Sequence, residues 1–332
     1  MSKLKKTLFA TVASLLAVMP AVAADWAPTR PIEFVVASGA GGGTDNFART
    51  IQSAIGRAKL IDQSIVVLNK GGGSGAEAFL YAKQNAGDPH KVIFGTNNVY
   101  LLPYVAKLAY KTEDLEPVAA LALDEFLIWV KSDSPYENVQ QLIDAAKAEP
   151  GVLAFAGSQS KDTDETLVAL IEQTTGADFK YIPFNGGAEV GVQLAGGHVV
   201  ANVNNPNENL GQWQAGAVRP LCVFSPKRMA ESEPIHDGKG WHDIPTCKEE
   251  GLDIETYQMP RTVWLPAGTD EGVKAFYENV LETVSESPEW KDYLKKTSQT
   301  DTFMTGDELK SFIKNNEDAT VGVFKAEGWT AQ

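Results

Sequence analysis

ASGAGGGTDNFAR, residues Ala37 to Arg49, sets four glycines between an apolar run and a stretch with helical spacing. Upstream, Ile32-Glu33-Phe34-Val35-Val36 reads as a buried strand bounded by Pro31. Downstream, Phe47, Ile51, Ala54, Ile55 and Ala58 recur at helix spacing, with Thr44 and Asp45 suited to the first turn. Glycines at a strand-to-helix junction leave backbone N–H groups pointing out of a helix N-terminus, which makes an anion site without a basic side chain. The bland alternative is a tight turn and nothing more.

The junction recurs. Ser64 to Leu68 is a second strand that runs into Asn69-Lys70-Gly71-Gly72-Gly73-Ser74-Gly75, and a helix follows from Ala76 to about Asn85. Lys91 to Phe94 gives a third strand, ending in Gly95-Thr96-Asn97-Asn98. This alternation implies a parallel sheet with right-handed crossovers, which puts all three loops on one edge. The pattern then restarts, with a strand from Phe126 to Lys131, a helix from Val139 to Ala148 and a strand that ends in Gly157-Ser158-Gln159-Ser160. Thr163 to Thr175 is helical in spacing, and Phe179 to Ile182 is extended into Pro183-Phe184-Asn185-Gly186-Gly187. His198 to Val203 leads to the asparagine-rich run Asn204 to Asn209, and helices around Val273 to Ser285, Pro288 to Thr297 and Asp307 to Val323 close the chain. Two α/β units of this kind, facing each other, would line one cleft with the loops at their strand ends.

Composition narrows the partners. Lys3, Lys5 and Lys6, the apolar run Leu8 to Met19 and Ala21 to Ala24 read as a secretory signal peptide, residues 1–24, with no cysteine at the cleavage site for a lipid anchor. Its small-residue style fits a bacterium, hence a periplasm; no later stretch is long and apolar enough to cross a bilayer, so a soluble product is expected, and a monomer. Cleavage moves the formal charge from −14 to −17, with 26 basic against 43 acidic residues. Such a chain repels nucleic acid and anionic lipid, so neither is expected as a partner. The two cysteines, Cys222 and Cys247, either pair in an oxidising compartment or stay as buried thiols.

Catalytic patterns are thin. After Gly39 and Gly41, Thr44 stands where a dinucleotide loop needs its third glycine, and the second strand ends in Asn69-Lys70 instead of an acid. No Gly-Lys-Ser/Thr follows, so a phosphate loop fails as well. Ser158-Gln159-Ser160-Lys161 matches S-x-x-K without its companion motifs. His90, His198, His236 and His242 form no tight ligand set, so neither a metal nor a cofactor is expected. Asn202, Asn204, Asn205, Asn207 and Asn209 are denser than a turn needs; their amides either build Asx-turns around Pro206 or donate to ligand oxygens. Arg261 either forks onto a ligand carboxylate or forms a hinge ion pair.

Several stretches together resemble one family. PIEFVVASGAGGGTDNFAR, IVVLNKGGGSGAEA, KYIPFNGGAEVGVQLAGGHV, IPTCKEEGL and VWLPAGT are similar, in order and spacing, to the Bug-type extracytoplasmic solute receptors of tripartite tricarboxylate transporters. The resemblance implies an α/β, type II periplasmic binding protein fold, with two α/β domains on parallel-sheet cores joined by two crossing strands. Residues 25–127 plus 258–332 would form domain 1 and 128–257 domain 2. It implies a non-enzymatic receptor that captures a small carboxylate, of the di- or tricarboxylate kind, and delivers it to a membrane permease. A sensor feeding a two-component kinase and a carboxylate-processing hydrolase are the rival readings. The expected contacts are Ser38, Gly43, Thr44, Asp45, Ser74, Asn97, Ser158, Ser160, Asn185, Gly186, Asn204, Asn205 and Arg261, with Asp45 acting through its backbone amide. The family often has proline or alanine with phenylalanine before the first glycines, whereas this chain has Ala37-Ser38-Gly39, so Ser38 adds a hydroxyl there.

Overall fold

The computed structural model of the chain describes residues 26–184 and 186–331. The expected signal segment and Asn185 lie outside the described residues.

The apolar run before the glycines is β1 (Ile32–Val36), and the glycine loop opens α1 (Gly43–Ala58). Then come β2 (Ile65–Asn69), α2 (Ala76–Gln84), β3 (Lys91–Gly95), α3 (Asn98–Val105) and the long β4 (Leu115–Glu125). Phe126 alone separates β4 from β5 (Leu127–Lys131), where the second sheet begins. That sheet continues through α4 (Val139–Ala148), β6 (Ala154–Ser158), α5 (Thr163–Thr175), β7 (Lys180–Phe184), α6 (Gly187–Ala195), β8 (Ala201–Asn204), α7 (Pro206–Gln214) and β9 (Val218–Val223). The chain returns in β10 (Gln258–Pro266), followed by α8 (Glu271–Ser285), α9 (Pro288–Thr297), β11 (Thr300–Met304) and α10 (Gly306–Ala326).

The strands form two sheets, ordered β11-β4-β10-β3-β1-β2 and β7-β6-β8-β5-β9. β1 pairs in parallel with β2 and β3, so the three glycine-bearing loops share one edge as the alternation requires. Each sheet is mixed, however. β10 runs antiparallel to both β3 and β4, and β5 antiparallel to both β8 and β9. The reason is the chain path: β4 leads out of the first domain and β10 leads back in, so the two connecting strands lie side by side in opposite directions.

Apart from Glu33, β1 is apolar because both of its faces are covered. Phe34 and Val36 pack with Phe47, Ile51 and Ile55 of α1, while Val35 packs on the other side with Phe79 and Ile93. The second domain repeats the arrangement around Ile128, Val130, Phe155 and Leu167. Cys222 and Cys247 are joined in a disulfide and fully buried in that core.

Candidate functional site

The glycines of the first loop divide into those that turn the chain and those that admit a neighbour. Gly41 has φ +80°, a left-handed conformation that favours glycine. Gly71 is needed for closeness, because a Cβ there would lie 2.7 Å from the backbone of Ser38, so the β1 and β2 loops rest on each other main chain to main chain. Gly43, the first residue of α1, makes room for a charged group of the protein itself. A Cβ on it would sit 2.7 Å from the guanidinium of Arg261.

Arg261 comes from β10, where the register with β4 shifts between Arg261 and Thr262. Such a bulge re-aims the side chain. Its Nη1 donates to Thr44 Oγ1 at 3.0 Å, and its Nη2 pairs with Asp124 Oδ2 at 2.5 Å. Arg261 is 8% exposed and Asp124 2%, so this is a buried hinge ion pair. Nε of Arg261 is buried with no partner. Gln299 donates to the other Asp124 oxygen. Next to Asp124, the fully buried Glu125 accepts from Thr300 at 2.5 Å and Gln258 at 2.7 Å. Burial pushes the Glu125 carboxyl up to about 7.

Asp45 is buried within the first turn of α1. Its carboxylate accepts from the Gly41 N–H at 2.8 Å, from Arg49 at 2.9 Å and from Asn69 at 2.9 Å. Burial works against the charge, but these donors outweigh it and hold the group below the usual carboxylate range. The side chain of Asp45 therefore serves to fix the glycine loop.

The second domain answers with acids. Gly187 opens α6, and a Cβ on it would lie 2.1 Å from the Glu208 carboxylate. Glu208 also accepts from the N–H of Asn205 at 3.2 Å, closing a capping box at the start of α7. Burial pushes Glu208 up to about 7; Asp124 adds to the rise, and the Asn205 N–H and Arg261 oppose it. Glu208 is thus within electrostatic reach of the hinge pair. Asp164 accepts from the N–H and Oγ of Ser158 at 2.7 and 2.8 Å, yet burial pushes it up to about 8, with Glu208 contributing. Ser160 donates to Glu165 at 2.8 Å.

The asparagine run is an internal relay. Asn202 donates to Val190 O, Asn209 to Asn202, and Asn204 to both Asn209 and Gly187 O. Asn205 donates to Glu125 O at 2.8 Å, tying α7 to the hinge. Of the expected contacts, Gly43, Thr44, Asp45 and Arg261 gather at α1, while Gly186, Asn204 and Asn205 gather at the starts of α6 and α7. Ser74, Asn97 and Ser160 line a separate hollow of about 180 Å³ between the domains. Ser38 sits at the loop surface, half exposed, with its carbonyl accepting from Asn69. A larger hollow of about 330 Å³, between α5 and α10 and walled by Leu170, Tyr257, Phe312 and Val323, contains none of them. Among the described residues no group of three or more His, Cys, Asp and Glu could hold a metal, and no helix is long and apolar enough to cross a membrane.

Sequence reasoning missed Asp124, Glu208 and Asp164. Asp124-Glu125 interrupts the otherwise apolar run Val118 to Val130, which is a signal of buried acids in a strand. Asn205-Pro206-Asn207-Glu208 carries a helix-start pattern, with an asparagine cap, a proline next and an acid three residues on.

Two α/β domains linked by paired strands, with loop edges and helix starts converging beside the link, define a two-domain solute-binding protein. The model of the Tripartite tricarboxylate transporter family receptor, TctC, matches residues 47–328, and the chain belongs to that family. The family consists of binding receptors. The chain is similar to the UPF0065 protein in gbd 5' region of Cupriavidus necator, 30% identical over 309 residues, covering 91% of this chain and 89% of the relative. It is also similar to the crystal structure of a TctC solute-binding protein from Polaromonas, at TM-score 0.75 and 26% identity over 90% of this chain and 99% of that one. R. palustris Rpa4515, a structure with adipate, matches at TM-score 0.74 and 25% identity, over 92% and 99% of the two chains.

Proposed function

We propose that this protein is a periplasmic receptor that captures a small organic carboxylate and delivers it to the membrane permease of a tripartite tricarboxylate transporter. The observation that carries the reading is the buried Arg261 guanidinium beside Thr44 at the start of α1, within electrostatic reach of Glu208, which packs on the first turn of α6. A carboxylate at this place would meet a helix N-terminus and a cation together. Adipate in the Rhodopseudomonas relative supports the ligand class. Di- and tricarboxylates are the first compounds to test.

Residues 25–127 plus 258–332 and residues 128–257 would be the bodies that move, with β4, β5 and β10 as the hinge. Because each body supplies half of the contacts, a bound ligand favours the closed state by its differential affinity. A thermal-shift screen of organic acids tests the binding. A ligand present at 100 times its Kd adds about 2.7 kcal/mol to stability. An absence of any shift across the panel would remove the receptor reading. Loss of uptake of the hit compound on deleting the gene, restored by re-expression, would establish delivery.

A further inference from the structure

The hollow of about 330 Å³ between α5 and α10 holds none of the expected carboxylate contacts, and its walls come from both halves of the protein, since α5 packs on the second sheet and α10 on the first. Pockets that enclose small molecules measure about 300–1,000 Å³. Leu170, Tyr257, Phe312 and Val323 give this one apolar and aromatic walls. Among the described residues that line it, none is charged. Charged residues make up 22% of the chain, so a charge-free lining of eleven residues sets the place apart. An ionised ligand would lose its hydration there and meet no counter-charge.

The polar groups of the lining divide into engaged and free. The Tyr257 hydroxyl donates to Thr163 O at 2.8 Å, and that of Thr166 to Asp162 O at 2.8 Å. Gln258 is held at both ends, accepting from Thr256 at 3.1 Å and donating to Glu125 at 2.7 Å. Asn316 accepts from the Tyr100 hydroxyl at 2.8 Å through Oδ1, which leaves its amide nitrogen as the end with hydrogens to give. One turn further along α10 stands Thr320, 4% exposed, whose hydroxyl makes no hydrogen bond among the described residues. Two uncharged donors, one turn apart on the same helix, thus border an apolar hollow.

We propose that the hollow between α5 and α10 is a second ligand site, for a small neutral aromatic or alicyclic compound whose carbonyl or hydroxyl oxygen accepts from Asn316 and Thr320. The apolar body of the compound lies against Leu170, Tyr257, Phe312 and Val323. The site is separate from the carboxylate cleft of the receptor reading and does not depend on it.

Saturation-transfer NMR and titration of the mature chain with three compounds of one shape test this: 2-naphthamide, its anionic counterpart 2-naphthoate, and 2-methylnaphthalene, which has no acceptor. Ala319→Trp places a large side chain at an exposed position of the lining, so binding at the hollow is the part that this variant removes. The amide is expected to bind there and to exceed the anion by about tenfold or more, because only the anion must give up the hydration of a charge. Thr320→Val, which keeps the shape and removes the hydroxyl, should weaken the amide by about three- to tenfold and leave 2-methylnaphthalene unchanged. No binding of the amide, or binding that survives Ala319→Trp, would overturn the proposal. So would 2-naphthoate or 2-methylnaphthalene binding at the hollow as tightly as the amide, or an amide affinity indifferent to Thr320→Val. The wild-type ranking decides the matter even if a variant does not fold, and the screen of organic acids reads the other site independently.

Discussion

Replacing Arg261 with Ala strands the carboxylate of Asp124, and the size of the effect follows from the surroundings. Asp124 is 2% exposed and its charge partner lies at 2.5 Å on the neighbouring strand. At about 4 Å between charge centres and an effective dielectric constant near 20, the attraction is roughly 4 kcal/mol. Most of that is offset in the wild type by desolvation of both ions, so the pair itself adds little. Removing only the arginine leaves the desolvation uncompensated, which costs about 3–5 kcal/mol. The donor from Gln299 softens this, and the emptied space beside Gly43 adds to it. Urea unfolding at pH 7.5 should therefore show Arg261→Ala less stable by about 3–5 kcal/mol. Arg261→Met combined with Asp124→Asn should recover most of the loss, because no charge is then left unpaired. A loss under about 1 kcal/mol in the single variant, or a double variant as unstable as the single one, would refute the reasoning.

Stability should fall as pH rises from about 5 to 8. Asp164 is pushed up to about 8, and Glu125 and Glu208 to about 7. The same groups titrate near 4 when unfolded, so across this window the folded state holds more protons and loses stability as they leave. The slope is up to about 1.4 kcal/mol per pH unit for each group. The acids held low, among them Asp45 and Glu33, lose their contribution only below about pH 4 and do not mask it. Urea midpoints measured from pH 5 to 8.5 should decline, and Asp164→Asn should flatten the curve; a rising curve would contradict the burial of these groups. Removing the Cys222–Cys247 bridge, which closes a separation of 25 residues, should cost about 3 kcal/mol by the entropy of the unfolded loop. Unfolding of the Cys222→Ala, Cys247→Ala variant measures it, and an unchanged midpoint would show that the unfolded chain is not constrained by the bond.

Elements with strong local periodicity were legible without coordinates. Val139–Ala148 and Thr163–Thr175 form helices where their spacing places them. The strand that leaves the first domain, β4, has no polar alternation over Val118–Leu123 because both of its faces are covered there, so that run passes for any apolar segment. α7 was hidden because its asparagines suit a turn as well as a helix start.

The sequence by itself determined that strands end in glycine loops at the starts of helices, since that depends on neighbours a few residues apart. It likewise carried the order of motifs that marks the family. The occupants of those helix starts were decided only by the tertiary structure. Arg261 reaches Thr44 across 217 positions in the chain, and Glu208 reaches Gly187 from the next α/β unit along. A glycine announces that something must come close. What comes close is fixed by strand pairing and domain packing, which no local pattern encodes.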